Sequence, residues 1–147
     1  MAFDLKQYSV AIEMLTEEYE DYTDDGRKGR IAFLLGKSYE KTLNYPLAGQ
    51  WFKKAYEHKY GPEALKNLGL QLKNQERYQD AMSVFKEMVI LPDYKVFTDR
   101  ELLICKEAAR WKSEPEPLQI RSFFETDGYS HFSPVNFENK FLIITSD

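Results

Sequence analysis

Cysteine is nearly missing from these 147 residues, and Cys105 has no partner with which to form an internal disulfide. Histidine is almost as scarce: His58 and His131 lie far apart, neither with a second ligand at metal spacing, so no metal site is expected. The seven glycines are scattered, and none builds a phosphate-cradling loop. No apolar run approaches the roughly 20 residues needed to span a bilayer. Basic excess is missing too, since the net charge is -4, which leaves no positive field for nucleic-acid phosphates. Catalytic signatures are equally thin. Asp127, Ser130 and His131 are sequence neighbours without a nucleophile elbow, and neighbours in sequence rarely assemble a triad. The acidic run Glu17, Glu18, Glu20, Asp21, Asp24 and Asp25 lacks calcium-loop spacing and reads as a solvated helix end and loop. The sequence therefore predicts no catalytic residue, no cofactor and no enzyme, and a packed thiol at Cys105.

What the chain does have is hydrophobic residues at 43% and a repeat. Ala32-x2-Leu35-Gly36-x2-Tyr39 is followed by Ala48-x3-Phe52-x2-Ala55. The same design returns 33 residues later as Leu65-x2-Leu68-Gly69-x2-Leu72, then Ala81-x3-Phe85-x2-Met88. Apolar residues at intervals of three and four line one face of a helix, so each unit is predicted to be a helical hairpin. Gly36 and Gly69 stand where two helices cross, with Ala48 and Ala81 filling the facing positions. Tyr45 and Tyr78 are expected to cover the turns, read at Asn44-Tyr45-Pro46 and Gln75-Glu76-Arg77.

These residues resemble the tetratricopeptide repeat (TPR), over roughly residues 3 to 112. Ala32 and Leu65 depart from the family's tryptophan, and Met88 from its small residue. The resemblance implies an all-α fold: a right-handed α-solenoid of stacked hairpins. Residues 1–113 form that domain, with units at about 29–61 and 62–95 and a cap helix at about 98–112. Tyr8, Ala11 and Leu15 match the second helix of a further, incomplete first unit. A leader, lipid anchor or earlier helix is therefore expected before Met1. Residues 21–29 read as a polar connection, with Asp24, Asp25 and Gly26 at a loop and helix cap. Thr98 or Asp99 is expected to cap the last helix, which a stack needs to cover its final apolar face.

Helical periodicity stops at Ser113-Glu114-Pro115-Glu116-Pro117. Residues 114–147 read as a linker followed by short strands at Leu118–Phe124 and Lys140–Thr145, with turns at Asp127-Gly128 and Glu138-Asn139. Tyr129-Ser130-His131-Phe132-Ser133-Pro134-Val135 and Asn139 to Asp147 resemble the opening of a WD-like β-propeller blade, with Phe-Ser-Pro-Val as a turn. The order of repeats then propeller is similar to that of Bacteroidetes envelope proteins that end in an OmpA-like peptidoglycan-binding domain and are associated with type IX secretion and gliding. That resemblance implies a periplasmic, outer-membrane-associated parent and a protein or peptide partner drawn from the envelope or secretion machinery. A cytoplasmic adaptor or co-chaperone built from the same repeats is the alternative.

In such a stack the first helix of each unit lines the concave side. Counting along it places Arg30, Phe33 and Lys37 from one unit, and Glu63, Lys66 and Leu70 from the next, toward a groove, with Lys73 one turn further. The expectation is a locally basic strip flanked by Phe33 and Leu70, suited to an extended peptide with an acidic group or free carboxylate. Asn67 and Lys66 supply only part of the family's carboxylate clamp, which disfavours heat-shock-protein tails as the guest.

Overall fold

The computed structural model describes residues 7–114, and the backbone of 130–137 and 140–146. The chain divides into two units, Met1–Pro115 and Glu116–Asp147. In the first unit the described residues form six α-helices: α1 (Tyr8–Asp21), α2 (Asp25–Lys41), α3 (Tyr45–Glu57), α4 (Pro62–Asn74), α5 (Tyr78–Met88) and α6 (Lys95–Ser113), with a 3-10 turn at Pro92–Tyr94 before α6. Each helix packs on the next in chain order, from α1 on α2 through to α5 on α6. No helix among the described residues is long and apolar enough to cross a membrane.

The repeated residues occupy repeated places. Ala32, Leu35, Gly36, Ala48, Phe52 and Ala55 are buried between α2 and α3, and Leu65, Gly69, Ala81, Phe85 and Met88 between α4 and α5. A methyl group built on Gly36 would lie 2.7 Å from the Phe52 ring, and one on Gly69 would stand closer still to Phe85. The two phenylalanines are fully buried and lie on helix backbone that only glycine leaves bare. One core cluster joins Tyr19, Ile31, Ala32, Leu35 and Ala55 with Ala64, and a second gathers Leu65, Leu72, Ala81, Phe85 and Met88 with Cys105. Cys105 is thus packed, and burial pushes its thiol pKa up.

The turns repeat as closely as the core. After α2, Leu43 takes a left-handed φ of 59°, its N–H donates to Glu40 O, and Asn44 N–H donates to Tyr39 O. After α4, Glu76 has φ 57°, its N–H donates to Lys73 O, and Arg77 N–H donates to Leu72 O. The end of α3 does the same with Lys59 at φ 60° and Tyr60 N–H on Ala55 O. This is the Schellman arrangement, in which a left-handed residue lets two amides satisfy carbonyls at the helix end.

Several boundaries differ from the sequence reading. Tyr45 and Pro46 belong to α3, because proline has no amide to leave unsatisfied in a first helical turn; Asn44 is the cap, its side chain accepting from Leu47 N at 3.3 Å. The connection before α2 shrinks from 21–29 to three residues, since Asp24 caps the helix by accepting from Arg27 N at 2.8 Å. The last helix starts at Lys95 rather than near Thr98, because the 3-10 turn at Pro92–Tyr94 runs straight into it. Thr98 is buried within that helix and donates to Tyr94 O at 2.8 Å instead of capping.

In the second unit, β1 (Ser130–Phe137) and β2 (Lys140–Ser146) pair antiparallel. The register shifts between Phe132 and Val135, so Ser133-Pro134 sits in an irregularity within β1 rather than in the expected turn. The strand expected at Leu118–Phe124 and the turns at Asp127-Gly128 and Glu138-Asn139 lie outside the described residues.

Gly36→Ala is predicted to destabilise the fold by about 2 kcal/mol, as overpacking against Phe52 outweighs the gain of about 1 kcal/mol in helix propensity. Gly49→Ala is the control, because its added methyl would find Gln75 Nε2 at an ordinary 3.6 Å. It should stabilise by about 0.5–1 kcal/mol in urea denaturation.

Candidate functional site

Lys37, Lys66 and Lys73 lie on α2 and α4, and hydrogen bonds run from these helices to the next first helix along. Lys37 Nζ donates to Asn67 Oδ1 at 2.7 Å, and Gln71 Nε2 donates to Glu40 Oε1 at 2.9 Å, tying α2 to α4. Lys73 Nζ donates to Glu101 Oε2 at 2.5 Å, and Lys66 Nζ sits 5.4 Å from the Phe97 ring centre, tying α4 to α6. The α2, α4 and α6 helices thus share one polar face. The repeat spacing carries it: Lys37 meets Asn67 and Glu40 meets Gln71 because each pair sits about one repeat apart.

The expected basic strip is not there. Each lysine on it already holds a carboxylate: Lys37 with Glu40 at 2.8 Å, Lys66 with Glu63 at 3.1 Å, and Lys73 with Glu101. Sequence spacing places the lysines correctly, but the glutamates one turn away or on the next helix neutralise them. Asn67 is spent in the same way. It is buried, donates its amide to Glu63 O at 2.7 Å and accepts from Lys37, so the partial carboxylate clamp is closed internally. Arg30 is exposed and pairs with no carboxylate among the described residues. Phe33 is half-buried, stacked on Tyr60 with ring centres 4.2 Å apart and tilted against Phe52. Leu70 packs against the second core cluster. What remains is a ladder of alternating donors and acceptors, not an anion trap.

None of Arg30, Phe33, Lys37, Glu63, Lys66, Leu70 and Lys73 lines either of two clefts found among the described residues. The larger, about 680 Å³, lies between α3 and α5, floored by Leu65, Leu68 and Leu72 and rimmed by Lys53, Tyr56 and Val84. The smaller, about 320 Å³, lies along α1 at Met14, Glu17, Glu18 and Asp21.

Sequence reasoning treated His58 as an isolated residue. It links three helices: His58 Nδ1 and Asp25 Oδ1 are 2.8 Å apart, and Nε2 and the Tyr19 hydroxyl are 2.8 Å apart. Asp25 and His58 are 33 residues apart, one repeat, which is the signal that could have paired them. Burial, then Glu20, raises the Tyr19 pKa, while the His58 hydrogen bond holds Asp25 below the usual carboxylate range. Tyr19 also stacks edge-on against Trp51 at 5.0 Å. No group of three His, Cys, Asp or Glu side chains that could hold a metal ion occurs among the described residues.

Comparison with family models, with curated proteins and with solved structures finds no match for the chain.

Two outcomes follow from these pairs. Glu101 is 3% exposed and keeps Arg100 at 3.1 Å when Lys73 is removed, so Lys73→Met should destabilise by about 2 kcal/mol, whereas Lys66→Met at its more open pair costs under about 1 kcal/mol. The double variant Lys73→Met/Glu101→Leu should recover most of the loss in chemical denaturation. Because His58 lowers the pKa of Asp25, the stability from that pair is complete above the unfolded-chain value and is lost as pH falls through the lower folded one. The melting-temperature gap between wild type and Asp25→Asn should therefore close as the pH is taken down through the carboxylate range.

Proposed function

We propose that the helical unit is a TPR-like interaction module, a right-handed α-solenoid whose α2, α4 and α6 face holds an extended segment of another protein by binding rather than catalysis. The observation that carries this reading is the repetition itself. Crossings at Gly36/Phe52 and Gly69/Phe85 and matching turns at Leu43 and Glu76 make two equivalent hairpins, and hydrogen bonds cross between their first helices. A face built by translation presents the same groups at regular intervals, which suits a guest whose backbone also repeats.

The guest in this reading is not chosen by bulk positive charge. The paired groups Lys37/Glu40, Glu63/Lys66 and Lys73/Glu101 offer donors and acceptors side by side, so peptide amides and carbonyls are held together with polar side chains. Arg30 and the outer faces of Phe33 and Leu70 supply the remaining contacts of the proposed groove. We place the module in a periplasmic, outer-membrane-associated envelope protein of the type IX secretion and gliding kind. That placement is supported by the resemblance of Tyr129–Asp147 to a propeller blade opening, with which the antiparallel pairing of β1 and β2 is compatible.

The test is selection of peptides from a displayed random library on the full chain, followed by affinity measurements with Lys37→Ala and Arg30→Ala. Peptides bound on this face should lose about tenfold in affinity with either variant, the worth of one charge-assisted hydrogen bond, and show a shallow salt dependence. Selected peptides that bind wild type and both variants equally would remove this face from consideration.

A further inference from the structure

Two carboxylates sit among the donors of the α2, α4 and α6 face, and each is held from more than one side. Glu40 Oε2 accepts from Lys37 Nζ at 2.8 Å, and its Oε1 accepts from Gln71 Nε2 at 2.9 Å. Glu63 Oε1 accepts from Lys66 Nζ at 3.1 Å and from Asn67 Nδ2 at 3.3 Å, and the Tyr94 hydroxyl donates to Oε2 at 3.4 Å. Asn67 joins the two groups, because its Oδ1 accepts from Lys37 Nζ at 2.7 Å. One connected network therefore crosses from α2 to α4, with two lysines and two glutamates in it. Gln71 and Asn67 anchor it from beneath, at 0% and 3% exposed. The four charged side chains are 26% to 43% exposed, open enough to be touched by a molecule lying on this face.

What such a network admits follows from its charges. A lysine ammonium has three donors, and Lys37 gives one to Glu40 and one to Asn67, so a donor remains for a guest. A peptide carbonyl or a hydroxyl takes that donor without opposition. A carboxylate taking it would stand beside the carboxylate already there, and like charges so close repel. Without the charges of Glu40 and Glu63, the same groups converge differently: Lys37 Nζ, Lys66 Nζ, the Asn67 amide and the Tyr94 hydroxyl become a set of donors with no described carboxylate among them. A carboxylate site is thus built into the face and filled by the chain's own side chains.

We infer that Glu40 and Glu63 are the specificity-determining residues of this face, which fill its carboxylate site from within, so that the guest is a segment neutral where it crosses Lys37 and Lys66, and acidic segments are refused. The inference rests on the α2, α4 and α6 face as the binding surface. Arg30 stands about two turns before Lys37 on α2 and belongs to no part of this network.

The test is titration of glutarate, a simple dicarboxylate, into the full chain and into Glu40→Gln/Glu63→Gln, with the Asn67 side-chain amide followed by NMR. Glutamine keeps the shape of glutamate and an acceptor oxygen for Gln71 and Asn67, and the single Glu63→Gln replaces the double variant if circular dichroism shows that it unfolds. The variant should bind glutarate saturably and at least about tenfold more tightly than wild type, should weaken with salt, and should lose the gain when Lys66→Met is added. Equal affinity in wild type and variant overturns the inference. So does a variant that binds no glutarate, and so does a gain that Lys66→Met leaves intact. Peptides selected on the variant should also be richer in Asp and Glu than those selected on wild type, and equal acidic content counts against the inference. A chain that binds no peptide on this face defeats the interaction reading alone, because the glutarate titration needs no guest peptide.

Discussion

A phenylalanine ring packed directly against a helix backbone needs a place where the helix has no side chain. Phe52 and Phe85 each find one, at Gly36 and Gly69, and both rings are fully buried there. The closeness of those crossings fixes how near α3 comes to α2, and α5 to α4. The rest follows from that spacing: Ala48 and Ala81 fit because nothing larger would, and the two core clusters form around the crossings. Because the same crossing occurs twice, 33 residues apart, the second hairpin is set beside the first in the same way, and groups one repeat apart come within hydrogen-bond distance.

That translation brings polar side chains of neighbouring helices within reach of one another. Lys37 reaches Asn67, Gln71 reaches Glu40, Lys73 reaches Glu101 and Asp25 reaches His58. These ties do two things at once. They satisfy polar groups on helices that are neighbours only through their side chains, and they neutralise the lysines on the shared face. In the proposed reading, a surface made this way would hold a guest by geometry and hydrogen bonding more than by charge. The clefts between α3 and α5 and along α1 lie elsewhere on the helical unit.

The helices and their crossings were legible in the sequence because glycine, alanine and phenylalanine have distinct sizes and recur at fixed spacing. The sequence reading located Lys37, Lys66 and Lys73 but not their partners. Pairing depends on rotamers and on which turn of the neighbouring helix stands opposite, and a count along one helix does not contain that. The three Schellman turns were hidden for another reason: Leu43, Lys59 and Glu76 hold the left-handed position that glycine usually marks. Thr98 has the chemistry of a cap, yet the 3-10 turn at Pro92–Tyr94 moves the helix start upstream of it. His58 looks solitary in the sequence because its partners, Tyr19 and Asp25, stand on two other helices.

The most direct measurement of the central claim is a double-mutant cycle at one crossing, with Gly36→Ala and Phe52→Leu measured singly and together by chemical denaturation. If the ring against bare backbone sets the hairpin, the smaller leucine makes room for the added methyl, and the double variant is more stable than the sum of the single losses by at least about 1 kcal/mol. Strictly additive losses would mean that Gly36 and Phe52 act independently, and would contradict the account.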